Sequence, residues 1–464
     1  MLYNLSFQIL FFLLSDFTHA FSCMTPKFPA FTCYRRSSNT AHIKPSRDLL
    51  WATVEKERII SSGTSLDVRI HGTWYDLQHW RKSHPAGESW IDMYQNRDCT
   101  EVMDAFHSSK ARKMWQRLPK SNEKVATQLE NSVAAVTPVQ NEFRKLRMKL
   151  ESEGWFKRDL VYESKLLLIL SSLFLGAAAS VSSIPLLSTV LLSLAFTNAG
   201  WIGHDYIHGT DKFSVRMRML APLLGGLGCT WWRDKHNRHH AHTNQMGVDG
   251  DMAEGPFLFT YAPDPSKDSP LRKVQHLTFP FVYSLLFLLW RFRSIQAVIP
   301  AIKERRLQAK EELSSFIIHY IALFTIFPTK IWIPAIFLSG LFSAFIVTPT
   351  HQSDTFFIEE QEDWVTAQFN STRNANLTNP FSTWLWGGMQ YQLEHHLFPT
   401  MPRSKYPKLR SIIQSFAQKN GLNYLESGEV DILKMNWRLY RDVASADPII
   451  GSPKSCFRNN MEKV

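Results

Sequence analysis

Apolar residues are clumped along this chain, and the windows they form set its organisation. Near the start of the ordered-looking region, Val68-Arg69-Ile70, His71-Gly72 and Thr73-Trp74-Tyr75 read as strand, turn, strand, opening a compact α+β unit over 48–117. A charged, largely helical connector follows over 118–163, containing FRKLRMKLESEGWF at Phe143–Phe156. From Lys165 the apolar windows begin. Leu166–Ser182 and Ile184–Ile202 are two spans separated by a short Ser-Ser-Ile-Pro turn. Phe279–Trp290, Phe316–Phe327 and Ile331–Val347 come next, and two of these are short for ~30 Å of hydrocarbon. Arg291 and Arg293 directly behind Phe279–Trp290 place that window in the membrane interface. The expectation is an all-α integral membrane domain over 164–450 with four transmembrane helices, then a tail over 451–464.

Composition narrows the class. With 44% hydrophobic and 13% aromatic residues the chain can fill a core, which excludes disorder for most of it. The scattered cysteines Cys23, Cys33, Cys99, Cys229 and Cys456 form no pair motif, so a disulfide scaffold is excluded. The net charge of +11 accompanies no nucleic-acid signature, and no nucleic-acid partner is expected. Its placement in the Lys/Arg-rich stretch from Lys212 to Lys310 fits the cytosolic (or equivalent plastid) side of a membrane protein. Residues 1–47 read as targeting sequence. The apolar run Leu5–Leu14 ends in Thr18-His19-Ala20 like a signal peptide, and Phe21–Arg47 is free of Asp and Glu and hydroxyl-rich like a transit peptide. This order resembles a two-part plastid address; a tail on an endoplasmic-reticulum protein is the alternative.

Two sets of histidines carry chemistry. In the first domain, His84 begins His-Pro-Ala-Gly and His107 ends a run from Asp98. Imidazoles on opposing helices can hold a heme iron from both faces, leaving no open position, which suits electron transfer. The stretch VRIHGTWYDLQHW through DAFHSSKA resembles the cytochrome b5 family over about 70 residues, and the resemblance implies heme b with His84 and His107 as axial ligands. That family usually has Gly where Ala86 stands; at positive φ an alanine costs on the order of 1 kcal/mol.

In the second domain, seven of the 17 histidines fall in three groups: His204-Asp-Tyr-Ile-His208, His236-Asn-Arg-His239-His240 and Gln392-Leu-Glu-His395-His396. Spacings of i, i+3 and i+4 put each group on one helical face. Three such faces meeting make a cage of nitrogen ligands for iron, zinc or copper. Zinc sites use three or four ligands, so seven imidazoles match two metals better. Two redox-active irons can activate O₂ against an unactivated C–H bond, with electrons from a fused heme module.

The pattern HDxxH, HxxHH, QxxHH with four spans resembles the membrane fatty-acyl desaturases. The fused cytochrome b5 unit and Gln392 resemble their front-end subgroup, over residues 48 to about 425. The resemblance implies a cis double bond inserted with O₂ on the carboxyl side of an acyl chain carried by a lipid or by CoA. It implies iron ligation, and hence catalysis, by His204, His208, His236, His239, His240, His395 and His396, with His351 in TPTHQSD as a further ligand and Gln392 as a weak ligand or water holder. Asp205 is expected to orient an imidazole through its second N–H. Ile207 stands where the family usually has Gly. His242 and Asn237 are read as outside the ligand set. Trp201, Trp231, Trp232, Trp384 and Trp386 flank the groups and read as an interfacial belt, a wall of the acyl tunnel being the alternative. Without a dinucleotide-binding fingerprint in the chain, a separate flavin cytochrome b5 reductase is the expected electron source. A lipid hydroxylase on the same di-iron scaffold, a sphingoid-base desaturase and a membrane-tethered heme electron carrier are the alternatives.

Overall fold

The computed structural model describes residues 65–358, 361 and 363–448. The targeting reading of residues 1–47 and the tail over 451–464 therefore lie outside the described residues, as does the start of the first domain.

The first domain is the expected strand-turn-strand. β1 (Asp67–Ile70) pairs antiparallel with β2 (Thr73–Asp76), with Val68 opposite Tyr75. The turn between them carries His71 and Gly72, both at positive φ. Behind the ribbon runs α1 (Thr100–Phe106), whose Val102 and Ala105 are buried. The connector enters α2 (Pro138–Ser152), which starts with a capping box: the Thr137 hydroxyl accepts from the Gln140 backbone and the Gln140 side chain returns the bond. The apolar stripe of α2 is not a spacer. Phe143 and Leu150 are each 1% exposed and belong to one core with first-domain residues such as Val68 and with Phe398, Tyr406 and Leu409 of the C-terminal region. The two halves of the chain thus share a hydrophobic core.

Among the described residues, three helices are long and apolar enough to cross a membrane: α3 (Leu160–Ser180), α4 (Pro185–His208) and, later in the chain, Thr329–Val347. Between them lies α5 (Cys229–Ala241), a short polar helix carrying the second histidine group. α6 (Gln275–Ser284) and α7 (Leu286–Lys303) meet at a break at Leu285, the segment Pro270–Ser284 making 56° with α7; counted as one span they give a fourth. The Phe279–Trp290 window, expected in the interface, straddles that break inside the bent pair that supplies the fourth candidate, whereas α8 (Ala309–Ile326), expected to be a span, is not among the candidates. α8, which holds the Phe316–Phe327 window, carries Lys310, Glu311 and Glu312 in its first turn but presents Ile317, Ile318 and Ile321 outward. α9 (Thr329–Val347) packs along α4 and against the break, where a Cβ on Gly340 would lie 2.5 Å from the Ser284 carbonyl oxygen. Leu168, Leu175, Leu186 and Phe281 are also exposed, the surface a lipid-embedded domain needs.

Three short elements complete the histidine-bearing end. They are α10 (Trp364–Ser371), α11 (Gln392–Leu397) and α12 (Tyr406–Asn420). A parallel pairing of β3 (Asn374–Asn376) with β4 (Glu426–Gly428) ties the C-terminal α13 (Glu429–Ser445) to them.

Candidate metal centre and heme site

α4 ends on His208, α5 presents His236, His239 and His240, and α11 presents His395 and His396; the groups converge as their spacing requires. Ring centroids of His204 and His395 lie 4.5 Å apart, and those of His208 and His240 4.7 Å. Ligand-capable atoms gather in two all-histidine sets, His204, His208, His236, His240 and His395 in one and His239, His351 and His396 in the other, and in a third group of His236, His239 and Asp251 that overlaps both. His240 and His396 stack at 4.0 Å and join the sets. His351, from the turn after α9, is 4.6 Å from His239 and 4.5 Å from His396, ring to ring. Gln392 opens α11, buried on the face of His395 and His396.

Five rings have their Nδ1–H tied down. His239 donates to Asp249 at 2.8 Å, His236 to Asp251 at 3.3 Å and His351 to the Ser371 carbonyl at 3.3 Å. His396 donates to Gln368 Oε1 at 2.9 Å. His395 donates to the Tyr406 hydroxyl at 3.1 Å, which passes its own proton to the Met401 carbonyl. Each bond leaves the Nε2 lone pair free to face inward. The Nε2 atoms of His395, His396 and His208 are buried without a partner, and those of His204 and His236 face each other at 2.7 Å. Burial pulls His236 and His351 down to about 3, so both rings are neutral. Neutral lone pairs directed at one another in a buried space fit a cation between them.

Asp205 does not orient an imidazole. Its carboxylate pairs with Arg158 at 2.5 Å and accepts the Arg403 backbone N–H at 3.3 Å, because a residue one step from His204 points away from the cage. The orienting carboxylates are Asp249 and Asp251, which sequence reading missed; their only signal is their place in GVDGD, directly after the second group. The interfacial-belt reading also fails for Trp201, Trp232 and Trp386, which are buried. Trp201 donates to the Leu385 carbonyl at 2.9 Å and Trp386 to Glu429 at 3.1 Å. Ile207 packs in the apolar cluster with Ala221, Leu227 and Phe287. His242 is bonded to Gln245 and to the Tyr94 hydroxyl rather than turned into the cage.

In the first domain, His84 and His107 face each other with ring centroids 6.1 Å apart. They are not on opposing helices: each caps the C-terminal end of a helical turn, in extended conformation. His84 Nδ1–H donates to the Gly87 carbonyl at 3.0 Å and His107 Nδ1–H to that of Met103 at 2.9 Å. Burial lowers His84 below its ordinary value and takes His107 to about 4. Two neutral rings with Nδ1 occupied fit axial ligation through Nε2. Positive φ falls on Gly87, at 103°, and not on Ala86, so the alanine carries no backbone cost.

Residues 182–428 match the fatty acid desaturase family and residues 51–123 the cytochrome b5-like heme/steroid binding domain. The chain is 30% identical over 439 residues to the delta(6)-fatty-acid desaturase fat-3 of Caenorhabditis elegans, covering 82% of this chain and 97% of that one. It is 26% identical over 422 residues to the acyl-lipid 8-desaturase of Rebecca salina, covering 87% and 97%. It is 30% identical over 382 residues to the delta(8)-fatty-acid desaturase of Euglena gracilis, covering 75% and 88%. A histidine cage at the end of apolar helices, joined to a heme-type domain, defines a membrane oxidoreductase, and the chain belongs to the fatty acid desaturase family. With its N-terminal cytochrome b5 domain it is a desaturase of the front-end kind, which consumes O₂ and electrons passed through that domain.

Proposed function

We propose that this enzyme inserts a cis double bond near the carboxyl end of a fatty-acyl chain borne by a glycerolipid or by CoA, using two non-heme irons. The names of the relatives, which place double bonds at carbons 5, 6 and 8, support that end of the chain. His204, His208, His236, His240 and His395 would hold one iron, and His239, His351 and His396 the other, with Gln392 as a weak ligand or water holder. When bound, paired iron supplies the redox chemistry that lets O₂ remove hydrogen from an unactivated C–H bond. The chain's own residues do the rest. Asp249, Asp251, Gln368, Tyr406 and the Ser371 carbonyl hold the Nδ1 protons of five of these rings in place, and the buried cage keeps water from the reacting atoms. His84 and His107 would ligate heme b, which a separate flavin reductase reduces. The membrane is that of the endoplasmic reticulum or a plastid, which tagging with and without residues 1–47 distinguishes.

The observation that carries this reading is the gathering of eight imidazoles into sets of five and three. Its test is expression in yeast fed a panel of fatty acids, with double bonds located by mass spectrometry. His84→Ala is expected to stop turnover while non-heme iron stays bound, and His396→Ala to lose both. Hydroxylated products without new double bonds, or purified protein free of non-heme iron, would overturn it.

A further inference from the structure

α5 is a wall with two working faces. His236 and His240 look into the cage, while Arg238, about 200° around the helix from each of them, looks toward the first domain. Arg238 lies over the Trp90 ring at 6.0 Å, and His242, one step past the helix end, stacks on Tyr94 at 5.8 Å. At the centre of this contact sits Phe106. It immediately precedes His107, and its ring meets that of His240 edge to face at 6.4 Å, interplanar angle 83°. Trp90 packs against it at 6.4 Å. The half-buried ring lies between a heme-ligand candidate and a cage imidazole.

We propose that Phe106 is the electron-transfer contact between the two redox modules, along His107, Phe106 and His240. The inference rests on the ligand assignments above. Heme held by His84 and His107 would pass one electron at a time, going from ferrous to ferric, to iron held in the cage. Two such passages, with two protons from water and one O₂, balance conversion of –CH₂–CH₂– to –CH=CH– plus two waters; the flavin reductase resupplies the heme. Because the domains share a core, this contact is built in, and the electron does not wait for a diffusing carrier.

The test uses the full chain, purified with heme and iron, in Phe106→Leu, Phe106→Met and Phe106→Tyr forms. The readouts are the heme spectrum and reduction potential, the bound non-heme iron, and the single-turnover rate at which pre-reduced heme is reoxidised once O₂ and acyl substrate are added. Leu and Met are expected to leave spectrum, potential and iron unchanged and to slow reoxidation by about an order of magnitude, the scale of a lost positioning contact. Tyr, which keeps the ring, is expected to retain the rate. Wild-type reoxidation in a Leu or Met form overturns the proposal, and so does loss of heme or iron in both, which would make Phe106 a structural plug. Wild-type protein without non-heme iron or without a bis-histidine heme spectrum would instead remove the reading underneath.

Discussion

Asp249 Oδ2 accepts the Nδ1–H of His239 and the backbone N–H of Asn244, each at 2.8 Å. The carboxylate is 4% exposed, and its other oxygen accepts the Asp251 N–H, so it is held from three sides. A ligand imidazole oriented by such a group is more basic and better aimed. Asp249→Asn keeps the loop's shape and removes the charge. Iron affinity is expected to fall about ten- to a hundredfold, read as the chelator concentration that strips non-heme iron while the heme spectrum stays constant. Unchanged chelator resistance would show that the carboxylate does not tune the metal.

What could be read from the sequence followed helical geometry. Imidazoles at i, i+3 and i+4 must share a face, so the three groups were legible without coordinates, as were the strand-turn-strand and the apolar windows. Asp249 and Asp251 were not, because they lie in a loop, where no period says which way a side chain points. Asp205 was misread for the converse reason: adjacency to a ligand in sequence rotates a helical residue about 100° away from it. The burial of Trp201 and Trp386 is set by helices that meet only in the folded chain, and nothing local in the sequence encodes it.

Asp205 has a structural partner instead. Arg158, with its side chain 4% exposed, joins Asp205 at 2.5 Å, Glu163 at 2.8 Å and Asp211 at 3.1 Å, pinning the end of α4 to the connector. Arg158→Met leaves these carboxylates without their cation, and breaking a buried pair costs about 3–5 kcal/mol. The expected result is a clear drop in the unfolding midpoint of the detergent-solubilised protein, with metal content per folded molecule unchanged.

Heme retention is expected to depend on Gly87 and not on Ala86. At φ 103° Gly87 turns its carbonyl onto His84 Nδ1, and a side chain there meets backbone strain of about 1–3 kcal/mol. Gly87→Ala should therefore speed heme transfer to an apo-globin acceptor, whereas Ala86→Gly should leave it unchanged or slightly faster. A slower loss in Ala86→Gly would show that the alanine does strain the site.

The bend between α6 and α7 makes the last expectation. A Cβ on Gly340 would lie 2.5 Å from Ser284 O and 3.1 Å from Phe287 N, both backbone atoms that no rotamer change can move. Gly340→Ala must push α9 away from the break, and overpacking of this kind costs about 1–3 kcal/mol. Gly225→Ala is the control, since its Cβ would meet nothing nearer than 3.7 Å. Thermal unfolding followed by size-exclusion fluorescence should fall for Gly340→Ala and hold for Gly225→Ala. Because α9 leads directly into His351, the same displacement should weaken retention of iron at the set formed by His239, His351 and His396 before it affects the set of five. Loss of about half the non-heme iron at moderate chelator, with the remainder resistant, would register that order; simultaneous loss of all of it would show that the two sets do not respond separately.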